Sequence, residues 1–184
     1  MSQLAVLPFS GTYRAQPAAS TFGFAVRHSE AFWFRGTVPE VRASLRADGD
    51  AVELRGSARV ESISVHEPAA MRASLLGPEF FDAERHPEIA FRSTDLRFGE
   101  DGALDLEGEL TMRGATRPLT ASGEYVAPRP AAFGEIAGLQ IHAAIDRREF
   151  GFEWQTPLPG GGDAVGWQVQ LDVDLVLVAE ETDR

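Results

Sequence analysis

The chain has 184 residues, 43% of them hydrophobic, enough for one domain with a real core and no length for a second of ordinary size. Its 17 basic and 28 acidic side chains leave a formal charge of −11, which repels nucleic-acid phosphates and anionic lipid head groups and argues against both as partners. It has no cysteine, which excludes disulfides, thiolate nucleophiles and cysteine-containing zinc sites, so four histidines carry any soft-metal role alone.

In chain order, the opening MSQLAVLPFSGTY has only Leu4 to Phe9 as an apolar run, broken by Pro8 and preceded by no Lys or Arg. This does not read as a signal peptide, and the expected location is cytoplasmic. TFGFAVRH alternates Phe22, Phe24, Val26 and His28 against Gly23, Ala25 and Arg27, a period of two that reads as a strand. FWF follows at Phe32 to Phe34, then a turn signal, ADGD, at 47 to 50. VELRGSARVESISV carries apolar parity on Val52, Leu54, Ala58 and Val60, then switches to Ile63 and Val65, which predicts a β-bulge near Glu61 or Ser62. HEPAAMRASLLGPEFF breaks the alternation, and Pro68 to Leu76, ahead of Gly77-Pro78, is the best helix candidate.

The next stretch, FFDAERHPEIAFRST, sets Asp82, Glu84, His86 and Glu88 on alternate positions. A metal site there would need the heads to converge, whereas Pro87 forces an extended residue before it and the stretch runs into a strand. His86-Pro87-Glu88 has the H-x-E form of zinc deaminases but no cysteine pair to complete it. The four residues therefore read as a hydrated connection, with Ile89 and Phe91 entering the core on one parity. A turn signal, GEDG, precedes the strand ALDLEGELTM, with Leu104, Leu106, Leu110 and Met112 inward. RGATRP at 113 to 118 reads as another turn, LQIHAAID as a strand through Leu139, Ile141, Ala143 and Ile145, and PLPGGGD at 157 to 163 as a flexible turn. Arg147 and Glu149 are placed to pair and staple a turn, with ligand recognition the alternative role. VGWQVQLDVDLVLV puts Val165, Trp167, Val169, Leu171, Val173, Leu175 and Leu177 on one face of a long strand. No apolar tract approaches the roughly 20 residues that cross a bilayer, so stable membrane insertion is not expected.

Many alternating strands and one short helix predict an all-β fold: an antiparallel sheet closed as a barrel of about eight strands, with the helix near one end. Such a barrel is either filled by side chains or holds one small ligand, and periodicity alone does not separate the two. No G-x-S-x-G, Walker lysine motif or H-E-x-x-H occurs, so no cofactor and no metal is expected.

The stretches GTYRAQPAASTFGFAVRH, MRASLLGPEFFDAERHPEIAFRST, LEGELTMRGATRPLT, IDRREFGFEW and VGWQVQLDVDLVLV, in this order, resemble the YceI family of bacterial lipocalin-like proteins over roughly Gly11 to Ala179. The most specific elements are L-T-x-x-G-x-T-[KR]-P and FFD…P-x-[IV]-x-F. The resemblance implies an extended lipocalin-like antiparallel barrel around a long apolar chain, a polyisoprenoid or a fatty-acid-like amphiphile, bound without catalysis. The alternatives are an enzyme acting on a lipid-like substrate and a solid-core interaction module; a homodimer is compatible with all three. The expected lining is Phe22, Phe24, Val26, Phe34, Met71, Leu75, Phe91, Trp154, Trp167 and Leu171. His28 is either a head-group contact or a satisfied polar group at the barrel end. Departures from the family pattern are Gln16 and Ala19 in QPAAS, His86, Asp146-Arg147-Arg148-Glu149-Phe150-Gly151, and the aromatic FWF, which would narrow the mouth or form a partner surface.

Overall fold

A computed structural model describes residues 7–181; the Leu4 to Val6 part of the N-terminal apolar run lies outside them. The chain forms β1 (Gly11–Ala15), β2 (Thr21–His28), β3 (Phe32–Val38), β4 (Val41–Asp48), β5 (Ala51–Arg59), α1 (Ala69–Leu76), β6 (Glu88–Phe98), β7 (Ala103–Met112), β8 (Ala115–Ala131), β9 (Gly134–Asp146) and β10 (Val165–Ala179). All pairings are antiparallel. The order β1-β4-β5-β6-β7-β8-β9-β10 closes on itself through the β1–β10 pairing, making a closed eight-stranded barrel.

β10 makes closure possible because one long strand serves two partners along the same edge. Leu177 to Ala179 pair with β1, while Val165 to Asp174 pair with β2. The β2–β3 hairpin thus extends the wall beyond the ring at one end, where it meets α1.

Alternation builds the interior. Along β7, Leu104, Leu106, Leu110 and Met112 are at most 4% exposed, while Asp105, Glu107 and Glu109 face solvent. The end away from α1 is closed by aromatic packing: Phe9 lies 5.5 Å from Tyr13 and 5.0 Å from Phe98, and Phe98 lies 5.0 Å from Tyr125. Both phenols in this plug are satisfied, Tyr13 donating to Glu135 at 2.6 Å and Tyr125 to the Gly99 carbonyl at 2.8 Å.

Two sequence expectations need correction. The parity switch after Val60 is not a bulge, because β5 ends at Arg59 and Val60–Ser62 form a 3-10 turn. Three residues per turn set Val60 and Ile63 on one face, and both are at most 1% exposed. The helix begins at Ala69 with Pro68 as its N-terminal cap, one residue later than expected, since Pro68 contributes only its carbonyl, to the Met71 and Arg72 amides.

Candidate functional site

The interior is divided. Next to α1 lies a chamber of about 400 Å³, within the range of small-ligand sites, walled by Phe24, Val26, Phe34, Met112, Ile145, Val165, Val169 and Leu171. Its roof is made by Ala70, Met71, Ser74 and Leu75 of α1 with Phe80, Phe81, Phe152 and Trp154, and its polar members are His28, Ser74, Glu79 and Arg147. Deeper in the barrel a second, almost wholly apolar space measures only about 70 Å³, bordered by Phe22, Phe91, Leu106, Leu110 and Ile141 among others. Leu171 borders both and forms the floor of the upper chamber. The barrel is therefore nearly solid below and open above. What closes the lower half is the fit of rings onto glycines: a Cβ on Gly108 would fall 2.5 Å from Phe91 Cζ, so the absence of a side chain there lets Phe91 lie against the wall.

Of the residues expected to line a cavity, Phe24, Val26, His28, Phe34, Met71, Leu75, Trp154 and Leu171 border the upper chamber. Phe22 and Phe91 border the small lower space. Trp167 borders neither. The β2–β10 register shifts between Val165 and Val169, four residues of β10 spanning two of β2, so Trp167 is carried off the inward stripe. Its indole donates to Asp163 at 2.8 Å and lies beneath Arg147 and Arg148, at 4.2 and 4.9 Å. Trp154 reaches the chamber from the irregular segment between Phe150 and Val165 rather than from a strand stripe.

Arg147 borders the chamber although it lies on no alternating stripe. The expected pairing with Glu149 does not form among the described residues. Arg147 is instead 5% exposed and donates to the carbonyls of Gly166 (2.8 Å), Phe152 (2.6 Å), Trp154 (3.0 Å) and Val165 (3.1 Å). One guanidinium thus ties the segment after β9 to the start of β10, and burial pushes its pKa below the ordinary value. The turn is stapled separately by Arg148 and Asp146, whose carboxyl is held below its usual range by that pairing. Val165 brings the polar groups together, facing His28 across the β2–β10 ladder while its carbonyl accepts from Arg147. His28 Nδ1 lies 3.0 Å from Ser29 Oγ, and the ring stacks on Phe32 at 5.0 Å.

The roof is held at its edges more than by its core. No residue of α1 is fully buried. Arg72 reaches from α1 to the carbonyls of Ile63 (2.8 Å) and Glu61 (2.6 Å), while Arg113 ties the Pro78 carbonyl (2.6 Å) to that of Gly151 (2.7 Å). Phe81 packs edge-on against Phe24 and Phe152, at 6.1 and 5.2 Å, and Phe80 against Trp154 at 5.5 Å.

One polar cluster lies outside the chamber. Asp172 and Ser122 both face His142 across adjacent ladders, and His142 Nδ1 sits 2.6 Å from Asp172 Oδ1. No hydrogen bond joins Ser122 to His142 among the described residues. The row lies on the barrel's exposed outer face, outside the chamber. Among the described residues no group of three His, Asp or Glu is placed to hold a metal ion.

The sequence matches the family model of the YceI-like domain over residues 13–177. The chain belongs to the YceI family. A UPF0312 protein of Vibrio parahaemolyticus is 30% identical over 95 residues, 51% of this chain and 48% of that protein. One of Photorhabdus laumondii is 25% identical over 134 residues, 71% and 69% of the two chains. The match to the Vibrio relative thus spans about half that protein's length. Among solved structures, Burkholderia cenocepacia BcnA superposes with a TM-score of 0.70 at 17% identity, over 88% of this chain and 98% of that one. A polyisoprenoid binding domain from Saccharophagus degradans does so with a TM-score of 0.70 at 13% identity, over 91% and 98%.

The departures of this YceI chain from the family pattern have local explanations. QPAAS forms the 3-10 turn Pro17–Ala19 between β1 and β2, stitched to β10 by the Gln16 amide on the Val176 carbonyl (2.7 Å) and the Val176 amide on Ser20 Oγ (3.1 Å). His86 packs over the β7–β8 turn, where a Cβ on Gly114 would lie 2.7 Å from the imidazole. In FWF, Phe34 faces the chamber, Phe32 is 53% exposed beside His28, and Trp33 lies between Arg27 and Arg35, at 5.2 and 5.9 Å.

Proposed function

We propose that the protein binds a long apolar amphiphile, an acyl or isoprenoid chain, inside the barrel and sequesters or transports it without catalysis. The observation that carries this reading is the chamber of about 400 Å³, apolar on its walls and polar only at the α1 end. At roughly 30 Å³ for a group the size of a water or a methylene, that volume takes about 13 such groups. Burying ten methylenes releases about 8 kcal/mol before ordering costs, enough for useful affinity. A roof held by arginine-to-carbonyl contacts suits reversible entry.

A polyisoprenoid-binding domain of the same fold supports the ligand class. The solid-core reading fits only the lower half of the barrel.

The test is native mass spectrometry of protein purified without detergent, joined to displacement of a fluorescent fatty acid. A co-purified or added chain held one to one is expected. Clean protein that takes up neither probe removes the carrier reading.

A further inference from the structure

We infer that the upper chamber is shaped for a single-chain carboxylate of about 12 to 16 carbons, with its head on Arg147 and its tail on Leu171. The inference rests on the carrier reading above and narrows it in head group and in length.

The head group follows from charge balance. Arg147 is a nearly buried cation on the chamber wall, and no carboxylate lies within 4.0 Å of it among the described residues. Two acids act on Arg147 from a distance without touching it: Asp146, which pairs with Arg148, and Asp163, which accepts from the Trp167 indole and keeps its charge. Carbonyl dipoles offset part of the cost of burying the charge but cannot cancel it. Four of the five guanidinium N–H groups have carbonyl acceptors, which leaves one on Nη1. One charged donor in a chamber that also holds His28 suits a carboxylate oxygen; a diphosphate would need several donors to replace its hydration. Glu79 is the acid on the chamber wall, but its residue is exposed to water and no ion pair joins it to Arg147 among the described residues.

Length follows from the floor. Arg147 comes directly after β9, while Leu171 faces Ala143, four residues further down. At about 3.3 Å per residue the head-group position stands about 13 Å above the floor, the length of about ten carbons fully extended, so a chain that fills the chamber's volume of about 400 Å³ bends within it. Leu171 is 4% exposed, and the space beneath it, about 70 Å³, has room for only one or two further methylenes. A longer chain must leave part of itself in the mouth, where additional methylenes gain little.

The experiment is a calorimetric or dye-displacement series of saturated carboxylates from about eight to about twenty carbons, each against the primary alcohol of equal length. Expected are an affinity that rises with length and levels off near fourteen carbons, and an acid preferred over its alcohol by at least about tenfold. Arg147→Gln should bring the acid-to-alcohol ratio to about one, and Leu171→Ala, by joining the two spaces, should move the plateau to chains about two carbons longer. Should Arg147→Gln fail to fold by circular dichroism, the wild-type acid and alcohol series decides the head group alone.

Equal affinity for acids and alcohols, or a rise that continues to twenty carbons, overturns the inference. So does tight binding of a long prenyl alcohol with none of the acids, an outcome that leaves the carrier reading standing. If no chain binds, the carrier reading itself falls.

Discussion

Arg147→Leu is the substitution whose cost the structure defines most directly. The guanidinium makes hydrogen bonds to four main-chain carbonyls, at 2.6 to 3.1 Å, on two separate segments. Charge-assisted bonds contribute about 1.5–3 kcal/mol each, but they are not additive, and water entering the chamber would satisfy part of what is lost. Leucine would leave four carbonyls without their donor, and at about 1–3 kcal/mol for each that water does not reach the net loss is about 3–5 kcal/mol. At about 2–4 °C per kcal/mol for a chain of this size, the midpoint of thermal unfolding should fall by about 6–20 °C. Arg147→Lys should recover less than half of that, because three donors on one point cannot span carbonyls held on separate segments. Differential scanning calorimetry measures both, with tryptophan emission from Trp33, Trp154 and Trp167 as a second signal. A fall below about 2 °C for Arg147→Leu would refute the claim that this residue ties the segment after β9 to β10.

Three further outcomes are expected. Gly108→Ala should lower stability by about 1–3 kcal/mol in urea, because its Cβ would meet the Arg92 carbonyl at 2.4 Å and backbone cannot step aside; an unchanged urea midpoint contradicts the close packing of β6 on β7. Tyr13 has its pKa pushed up to about 12, chiefly by burial and then by its bond to Glu135, so the protonated phenol is favoured in the fold. Its contribution is whole below the ordinary tyrosine value near 10 and is lost as pH rises through about 12. Tyr13→Phe should therefore flatten the alkaline fall in stability, and equal slopes for both proteins in pH-dependent urea melts would count against it. Arg72→Ala removes two contacts that hold α1 to the segment before it and should speed exchange of a bound chain several-fold in stopped-flow displacement while lowering stability by only about 1 kcal/mol; an unaltered exchange rate would mean α1 is not the gate.

The strands that sequence reading locates are those whose alternation is unbroken. β2, β7 and β10 each have one face toward the interior and one toward water, so period two is written directly into their side chains. β8 carries no comparable pattern. Among its 17 residues only Ala121 is buried, and Pro118, Pro128 and Pro130 interrupt it. Its place in the ring comes from pairing with β7 and β9, with an irregularity between Val126 and Arg129 that takes up Pro128. The chamber was legible in part for the same reason. Phe24, Val26 and Leu171 lie on clean stripes, whereas Trp167 is displaced by the register shift in β10 and Arg147 reaches the wall from beyond the end of β9.

The sequence by itself determined that this chain is an antiparallel barrel of the YceI kind, because alternation, turn residues and the family elements are local properties that each segment carries alone. It also set the junction from Phe80 to Phe91, where Pro87 and the change from polar to alternating residues mark the entry of β6. Tertiary structure decided how much of the interior stays empty. That depends on which rings meet which glycines across the barrel, Phe91 on Gly108 below and Phe24 on Gly36 above. It also decided that Arg147 serves carbonyls rather than Glu149. Volume and charge balance are sums over residues far apart in the chain, and no single stretch contains them.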